Sequence, residues 1–361
     1  MTAAAAIGGA ILLRKRQPGQ VEEIPKKMRR VVLAEANADI TAAKLKVEEV
    51  DMPKPSRGQV LVKIAAAPIN PSDDGVWRAT PKTGYPIPLG IEASGTVVAS
   101  GGGLLAGRLL GKNVAIIGSS GKYAEYAVAD ALKECFTLPP GVPVEDGCSY
   151  FINPFTVVGI VETVLSIGSK VFIHTAAASQ LGQMMVKYCK QEGVTIVNVV
   201  RREEQAKLLR EIGAEHIVVT GREGWQAELE KLIREMKIKC AFDAIAGEMS
   251  GNLLTMLPPG GKVFVYGRLA PEAVGNIQPL DLIYRGKSLQ GFLLTTWLMR
   301  DGIAKVLWRS IQTSKKVGKY LSTVFASDFA DTTLERMHAD YCDVNKKGRT
   351  GVKIRVRPQF R

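Results

Sequence analysis

The stretch Ala176-Ala177-Ala178-Ser179-Gln180-Leu181-Gly182 has residue types that could receive a charged ligand. It follows an apolar run, Val171 to Thr175, and opens a segment, Leu181 to Glu192, with apolar residues at helical spacing. Small residues at a strand-to-helix turn let backbone amides approach a pyrophosphate at the helix N-terminus. They also let a helix pack closely on a strand, and only Gly182 is glycine, so the turn taken alone fits either role. The next strand-like run, Val194 to Val200, ends in Arg201-Arg202. An NAD-binding chain usually carries Asp or Glu at this place, about 20 residues after the turn, to hold the ribose hydroxyls. A guanidinium there can grip a 2′-phosphate bidentately. The other reading is a solvated helix start containing Glu203 and Glu204. Cations at a helix N-terminus oppose its dipole, however, so an external anion explains the two arginines better. Ala177, Ser179, Gln180, Leu181, Gly182, Arg201 and Arg202 are therefore the candidate cofactor residues, and NADPH is favoured over NADH.

The elements needed to hold such a site are readable on both sides of it. From Met28 the chain is β-rich: Arg30 to Ala34, Lys44 to Val50, Gln59 to Ala67, Gly95 to Ala99, Asn113 to Ile117 and Tyr123 to Val128 read as strands bounded by turn formers. After about residue 150 strands and helices alternate, which predicts an α/β fold with a doubly wound parallel sheet. Glu203 to Ile212 and Trp225 to Met236 read as its helices, and His216 to Thr220, Cys240 to Ala246 and Lys262 to Tyr266 as its strands. The tail ends in Gly351 to Val356, an alternating strand expected to return to the first domain. The expected organisation is an extension over 1–27, a first domain over 28–150, a nucleotide domain over 151–300 and a returning segment over 301–361.

At 361 residues, with 46% hydrophobic and 23% charged residues, the chain has globular composition rather than that of a disordered scaffold. The net charge of +13 is spread along the length. That fits a binder of small anions or an organellar protein better than one nucleic-acid stripe, and no nucleic-acid partner is expected. The five cysteines are far apart with no C-x-x-C pair, so neither a disulfide framework nor a structural zinc lobe is expected. Residues 1–13 are mostly apolar and are followed by Arg14-Lys15-Arg16. At about 1.5 Å per residue they are too short to cross a hydrocarbon core of about 30 Å, so no transmembrane span is expected. A basic, acid-poor start is compatible with an organellar targeting or anchoring segment.

Several separate motifs together resemble the zinc-independent medium-chain dehydrogenase/reductase superfamily, from about Met28 to the C-terminus. They are Pro68-Ile69-Asn70-Pro71-Ser72-Asp73, Pro88-Leu89-Gly90-Ile91-Glu92-Ala93-Ser94-Gly95, Asn153-Pro154-Phe155-Thr156, the Ala176 to Gly182 turn, Val265-Tyr266-Gly267 and Gly291-Phe292. The resemblance implies a GroES-like first domain packed on a Rossmann domain, with the reaction in the cleft between them. It also implies that Asn70 and Thr156 flank the nicotinamide, and that Tyr266, Gly267 and Phe292 line its ribose side. Zinc enzymes of the superfamily carry Gly-His-Glu where this chain has Gly90-Ile91-Glu92. Isoleucine cannot ligate a metal, and with His only at 174, 216 and 338 no zinc site is expected.

The resemblance is closest to the quinone reductases and the mitochondrial enoyl-thioester reductases, which deliver hydride to a conjugated acceptor. A mitochondrial location is the expectation that follows, with the cytoplasm as the alternative. Two departures from the enoyl-reductase pattern are Leu293, where Trp is expected, and the lack of a Tyr within Asp74 to Pro81. Tyr85 is the candidate proton donor, with Asn70 and Thr156 as the other candidate catalytic residues; a phenol near pKa 10 would need local tuning for that role. The expected activity is NADPH-dependent reduction of a 2-enoyl thioester, an enone or a quinone. The alternative is a catalytically inactive subunit of a larger assembly, and a homodimer is the other expected partner state. His174 reads as a core imidazole, Cys189 as packing, Asp73 as a loop-ordering residue, and Asp243 as either a cofactor contact or a turn cap.

Overall fold

The computed structural model describes residues 23–80, 82, 84–118, 121–346 and 351–360, of which 303 and 304 by backbone alone. Most of the N-terminal extension, and with it the targeting segment expected there, lies outside the described residues. The first domain begins with β1 (Lys27–Glu35) and β2 (Lys44–Asp51), which pair antiparallel from Lys27↔Asp51 to Leu33↔Leu45. Next comes β3 (Gln59–Pro68), whose Val60, Val62 and Ile64 enter one core while Leu61 joins a smaller cluster.

Helix α1 (Pro71–Arg78) follows, an element that the β-rich reading of this region did not include. Two local signals make it. Pro71 stands at the first helical position, where its missing N–H costs nothing. The Asp73 carboxylate accepts the Asn70 N–H at 2.8 Å, one half of a capping box. Trp77, fully buried on this helix, anchors it edge-on against Tyr341.

The first domain continues through β4 (Ile87–Pro88), β5 (Glu92–Ser100), α2 (Leu104–Leu109), β6 (Asn113–Ile117), β7 (Tyr126–Asp130) and β8 (Cys135–Thr137). β3 lies antiparallel to β5 with a register shift between Ile64 and Ala66. Gly95 faces that shift, and a Cβ on it would stand 2.1 Å from the Lys63 carbonyl oxygen, so only glycine fits.

The second domain opens with α3 (Ile152–Ser166), packed among aromatic and aliphatic residues on one face of the sheet. The stretch Asp146–Ser166 is long and apolar enough to cross a membrane, but 78% of its apolar window is buried in the protein, as in a core helix. Strands β9 (Val171–Thr175), β10 (Thr195–Val200), β11 (His216–Val219), β12 (Cys240–Asp243), β13 (Lys262–Val265) and β14 (Ser288–Gly291) form a parallel sheet in the order β11-β10-β9-β12-β13-β14. Helices α4 (Gln180–Glu192), α5 (Glu203–Glu211), α6 (Trp225–Met236), α7 (Gly247–Met256) and α8 (Pro279–Ile283) connect them. Because strand residues alternate, Phe172, Phe242 and Phe264 pack under α3 and α4, while Ile173, Ala241 and Val263 pack under α6 and α7.

Helices α9 (Leu294–Met299) and α10 (Ile303–Tyr320) still belong to this domain, since Trp297, Leu298 and Val317 join the cluster around α3. The chain therefore returns to the first domain later than residue 301. It does so at β15 (Phe329–Thr332), α11 (Met337–Lys346) and β16 (Lys353–Val356), with β16 between β15 and β3.

Candidate functional site

In a doubly wound sheet the ligand crevice opens at the carboxyl ends of the strands where the strand order reverses, here between β9 and β12. Thr175 ends β9, and its hydroxyl donates to Asp243 Oδ1 at 2.6 Å and accepts the Ala244 N–H at 2.9 Å. The Asp243 carboxylate also accepts the N–H groups of Ile245 and Ala246 and the Ser250 hydroxyl. Every lone pair is thus directed inward, and Asp243 caps the turn into α7. A cleft of about 1420 Å³ opens above this crossing. Its floor is the strand ends of the second domain, and its opposite wall includes Pro71, Ser72 and Asp74 of α1.

Of the residues singled out from the sequence, Ser179, Arg201, Tyr266, Gly267 and Phe292 line the cleft. Ser179 is the N-cap of α4 and its hydroxyl accepts the Gly182 N–H at 3.1 Å. Gly182 lies beneath the turn. A Cβ there would come within 2.1 Å of the Ala177 carbonyl oxygen, so its role is close helix-to-strand packing, and Ala177 and Gly182 reach no ligand through side chains. Ala176 adopts φ 50°, the left-handed conformation a glycine would take more easily, and it lines the cleft. Gln180 donates to the Gly351 carbonyl and Leu181 packs on the α3 core, so both side chains face the protein.

Arg201 stands at the end of β10 at the cleft edge, exposed and without a carboxylate partner among the described residues. Arg202, half-buried, is the N-cap of α5 with Glu204 3.8 Å away. Both backbone N–H groups donate to Gln205 Oε1, at 2.9 and 3.1 Å, which fixes the strand-to-helix turn and leaves the Arg201 side chain free to turn to the cleft. Gln205 itself lines the cleft, as do Thr220 and Arg268, none of which the sequence assigned to the site. Gln205 was findable: it stands at capping-box spacing from Arg202.

His174 is fully buried and its Nε2 lies 2.7 Å from the Tyr266 hydroxyl, with the two rings stacked at 5.7 Å. Burial drives the imidazole pKa down to about 3, so the ring is neutral. The same burial raises the Tyr266 phenol above its usual range. A neutral imidazole thus holds Tyr266 in place at the cleft wall. Phe292 packs edge-on against Phe242, with ring centroids 5.7 Å apart.

The three residues expected to be catalytic are not brought together at the cleft surface. Tyr85 is 40% exposed and its oxygen accepts the Ala36 N–H at 2.8 Å, outside the residues lining the cleft. Asn70 and Thr156 are buried, and neither is among the residues lining the cleft. Asn70 Nδ2 donates to Glu92 Oε1 at 2.8 Å, and Asn70 Oδ1 has no hydrogen-bond partner among the described residues. Glu92 Oε2 accepts the Ile152 N–H at 3.0 Å, and the Lys353 ammonium stands 3.7 Å from Glu92 Oε1. This buried polar knot, with Asp73 beside it, joins α1, β5, α3 and β16.

The knot does not fit zinc. Beside Glu92 stand an amide and Ile91, a lysine ammonium already provides the positive charge, and no group of three metal-ligating side chains exists among the described residues.

A β-rich domain and a doubly wound parallel domain that share a cleft at the switch point define a two-domain oxidoreductase fold. Residues 56–140 match the alcohol dehydrogenase GroES-like domain and residues 181–311 the zinc-binding dehydrogenase family. The chain is similar to a putative NADPH:quinone reductase from Mesorhizobium loti, at 30% identity and a TM-score of 0.81, covering 93% of this chain and all of that one. It is also similar to the mitochondrial enoyl-[acyl-carrier-protein] reductase of Xenopus tropicalis, 28% identical over 70% of this chain and 74% of that protein. The quinone oxidoreductase of Sus scrofa is 26% identical over 85% of this chain and 91% of its own length. The chain belongs to the medium-chain dehydrogenase/reductase superfamily.

Proposed function

We propose that the chain is a zinc-free, NADPH-dependent reductase of conjugated acceptors, and that a quinone is the better-matched acceptor. The observation that carries the cofactor reading is Arg201, an exposed cation at the end of β10, on the cleft and without a carboxylate partner among the described residues. The Mesorhizobium loti neighbour, named as an NADPH enzyme, supports it. The residues present fit the cofactor: the N-terminus of α4 with Ser179 would hold the pyrophosphate, Arg201 the 2′-phosphate, and Tyr266 and Phe292 the wall beside the ribose. When bound, NADPH supplies the hydride. The chain supplies orientation through the fixed His174–Tyr266 pair and a cleft lined largely by apolar groups such as Val265 and Phe292, which reduces water near the reacting atoms.

The preference for a quinone follows from proton delivery. A reduced quinone takes its protons on oxygen, directly from water. A 2-enoyl thioester needs a positioned acid for its α-carbon, and Tyr85, the candidate for that role, is outside the cleft lining. The same observation supports a second reading, a catalytically inactive subunit that retains nucleotide binding. The relatives named mitochondrial support a mitochondrial location.

Titration of the full chain with NADPH and with NADH, followed by intrinsic fluorescence, tests the assignment. Arg201→Ala is expected to weaken NADPH by about tenfold or more, about 1.4 kcal/mol, and to leave NADH nearly unchanged. Equal loss for both nucleotides would remove Arg201 as the 2′-phosphate ligand. Tight NADPH binding without turnover of quinones or 2-enoyl thioesters would favour the inactive subunit.

A further inference from the structure

We propose that the outward face of α10 docks the protein on an anionic lipid surface. The inward face of this 18-residue helix is fixed: Arg309, Thr313 and Val317, four residues apart, are buried, and the Arg309 guanidinium donates to the carbonyls of Trp297 and Leu298 at 3.1 and 2.8 Å and to Asp301. The opposite face carries Leu307, Trp308 and Ile311, exposed at 50, 63 and 45%. At 100° per residue these three fall within about one quarter of the helix circumference. Lys315 and Lys319 continue the same face toward the C-terminus, and Lys305 flanks its start.

Charge decides the occupant. From Phe292 to Tyr320 there are six Lys and Arg residues and one carboxylate, Asp301, which is already paired with Arg300 and Arg309. Lys316 pairs with Glu162 of α3, Lys319 lies over the Tyr320 ring with the Glu192 charge acting on it, and no ion pair holds Lys305 or Lys315 among the described residues. Two copies of this face would bring like charges together. A bilayer with acidic headgroups takes apolar side chains at the acyl boundary and cations at the headgroups, and an indole suits the boundary between them. Leu293 and Met299, exposed at 62 and 60%, extend the apolar area along α9, and Leu293 also lines the cleft. The inference does not depend on which acceptor the cleft takes.

The test uses the full chain with vesicles of phosphatidylcholine alone and of phosphatidylcholine mixed with phosphatidylglycerol, read by co-sedimentation and tryptophan fluorescence. Trp308 is the most exposed of the four tryptophans, since Trp77 and Trp297 are buried and Trp225 half-buried, so a blue shift and protection from aqueous quencher report on it. Binding is expected only to the acidic vesicles and with that blue shift. Trp308→Gln/Ile311→Gln, a surface change that should leave the thermal midpoint unaltered, is expected to weaken binding by about tenfold or more. Undiminished vesicle binding by the double variant would overturn the proposal and assign the attachment to another segment, the apolar and basic residues 1–16 included. No vesicle binding by the unaltered chain would overturn it as well. So would a double variant that changes only the oligomeric state, which would make the face a contact between copies or with another protein.

Discussion

Lys353→Met is expected to destabilise the protein by about 3 to 5 kcal/mol, measured as a shift of the urea midpoint at neutral pH with an unchanged slope. Both Lys353 and Glu92 are almost fully buried, with side-chain exposures of 6% and 2%, and they stand 3.7 Å apart. Removing the ammonium leaves the Glu92 carboxylate in a low-dielectric interior with only the Asn70 amide and the Ile152 N–H to stabilise its charge. The double variant Glu92→Gln/Lys353→Met should regain much of the loss, because glutamine keeps an acceptor for Ile152 without the charge. A single-variant cost below about 1 kcal/mol would mean that water reaches the knot and screens it.

Asp73→Asn is expected to stabilise the protein at mildly alkaline pH and to have little effect under acid. The Asp73 carboxyl is buried, and burial pushes its pKa up to about 7, helped by the Glu92 charge and opposed by the Asn70 N–H, Tyr123 and Lys353. The folded value therefore lies above the unfolded value of about 3.9. Below both values Asp73 is protonated in either state and costs no stability. As pH rises from about 4 to about 7 the unfolded chain ionises while the native one resists, so stability falls, and the loss is complete above about 7. Asparagine keeps an acceptor for the Asn70 N–H and removes the ionisation. Unfolding of both proteins at about pH 5 and about pH 8 should give the variant a relative gain of about 2 to 3 kcal/mol at the higher pH. A constant difference across that range would show that Asp73 titrates normally.

These two predictions concern residues whose meeting the sequence could not announce. The nucleotide half of the cleft was legible because its signals are local: a strand of branched and aromatic residues, a small-residue turn, an N-cap serine, a second strand, then Arg201. β9 and α6 fall where periodicity places them, at Val171–Thr175 and Trp225–Met236. The Glu92–Lys353 contact joins residues separated by 261 positions in the sequence, and no spacing rule reaches across that separation. The pairing of His174 with Tyr266 is similar: the strand pattern buried His174, but only the order β9-β12-β13 brings Tyr266 to it. Helix α1 was missed because eight residues with a Gly at the centre give little periodicity, although Pro71 and the Asn70-x-x-Asp73 spacing mark its start. Tyr85 was chosen by chain proximity to a motif, and proximity along the chain does not determine which way a loop side chain turns.

The placement of β16 between β15 and β3 has a consequence for biosynthesis. Residues of β3 leave the ribosome early and those of β16 late, with the whole parallel sheet made in between. The nascent nucleotide domain has all its strands in one continuous stretch and can condense during translation, as domains generally do when they emerge as units. The first domain cannot: until Lys353 arrives, Glu92 has no counter-charge and the edge of β3 that takes β16 is unpaired. Assembly is therefore expected to run against the order of synthesis, with the part made first completed last. A nonsense change upstream of β16 would release a chain with a finished nucleotide fold and an open first sheet, a ready substrate for chaperones and proteases.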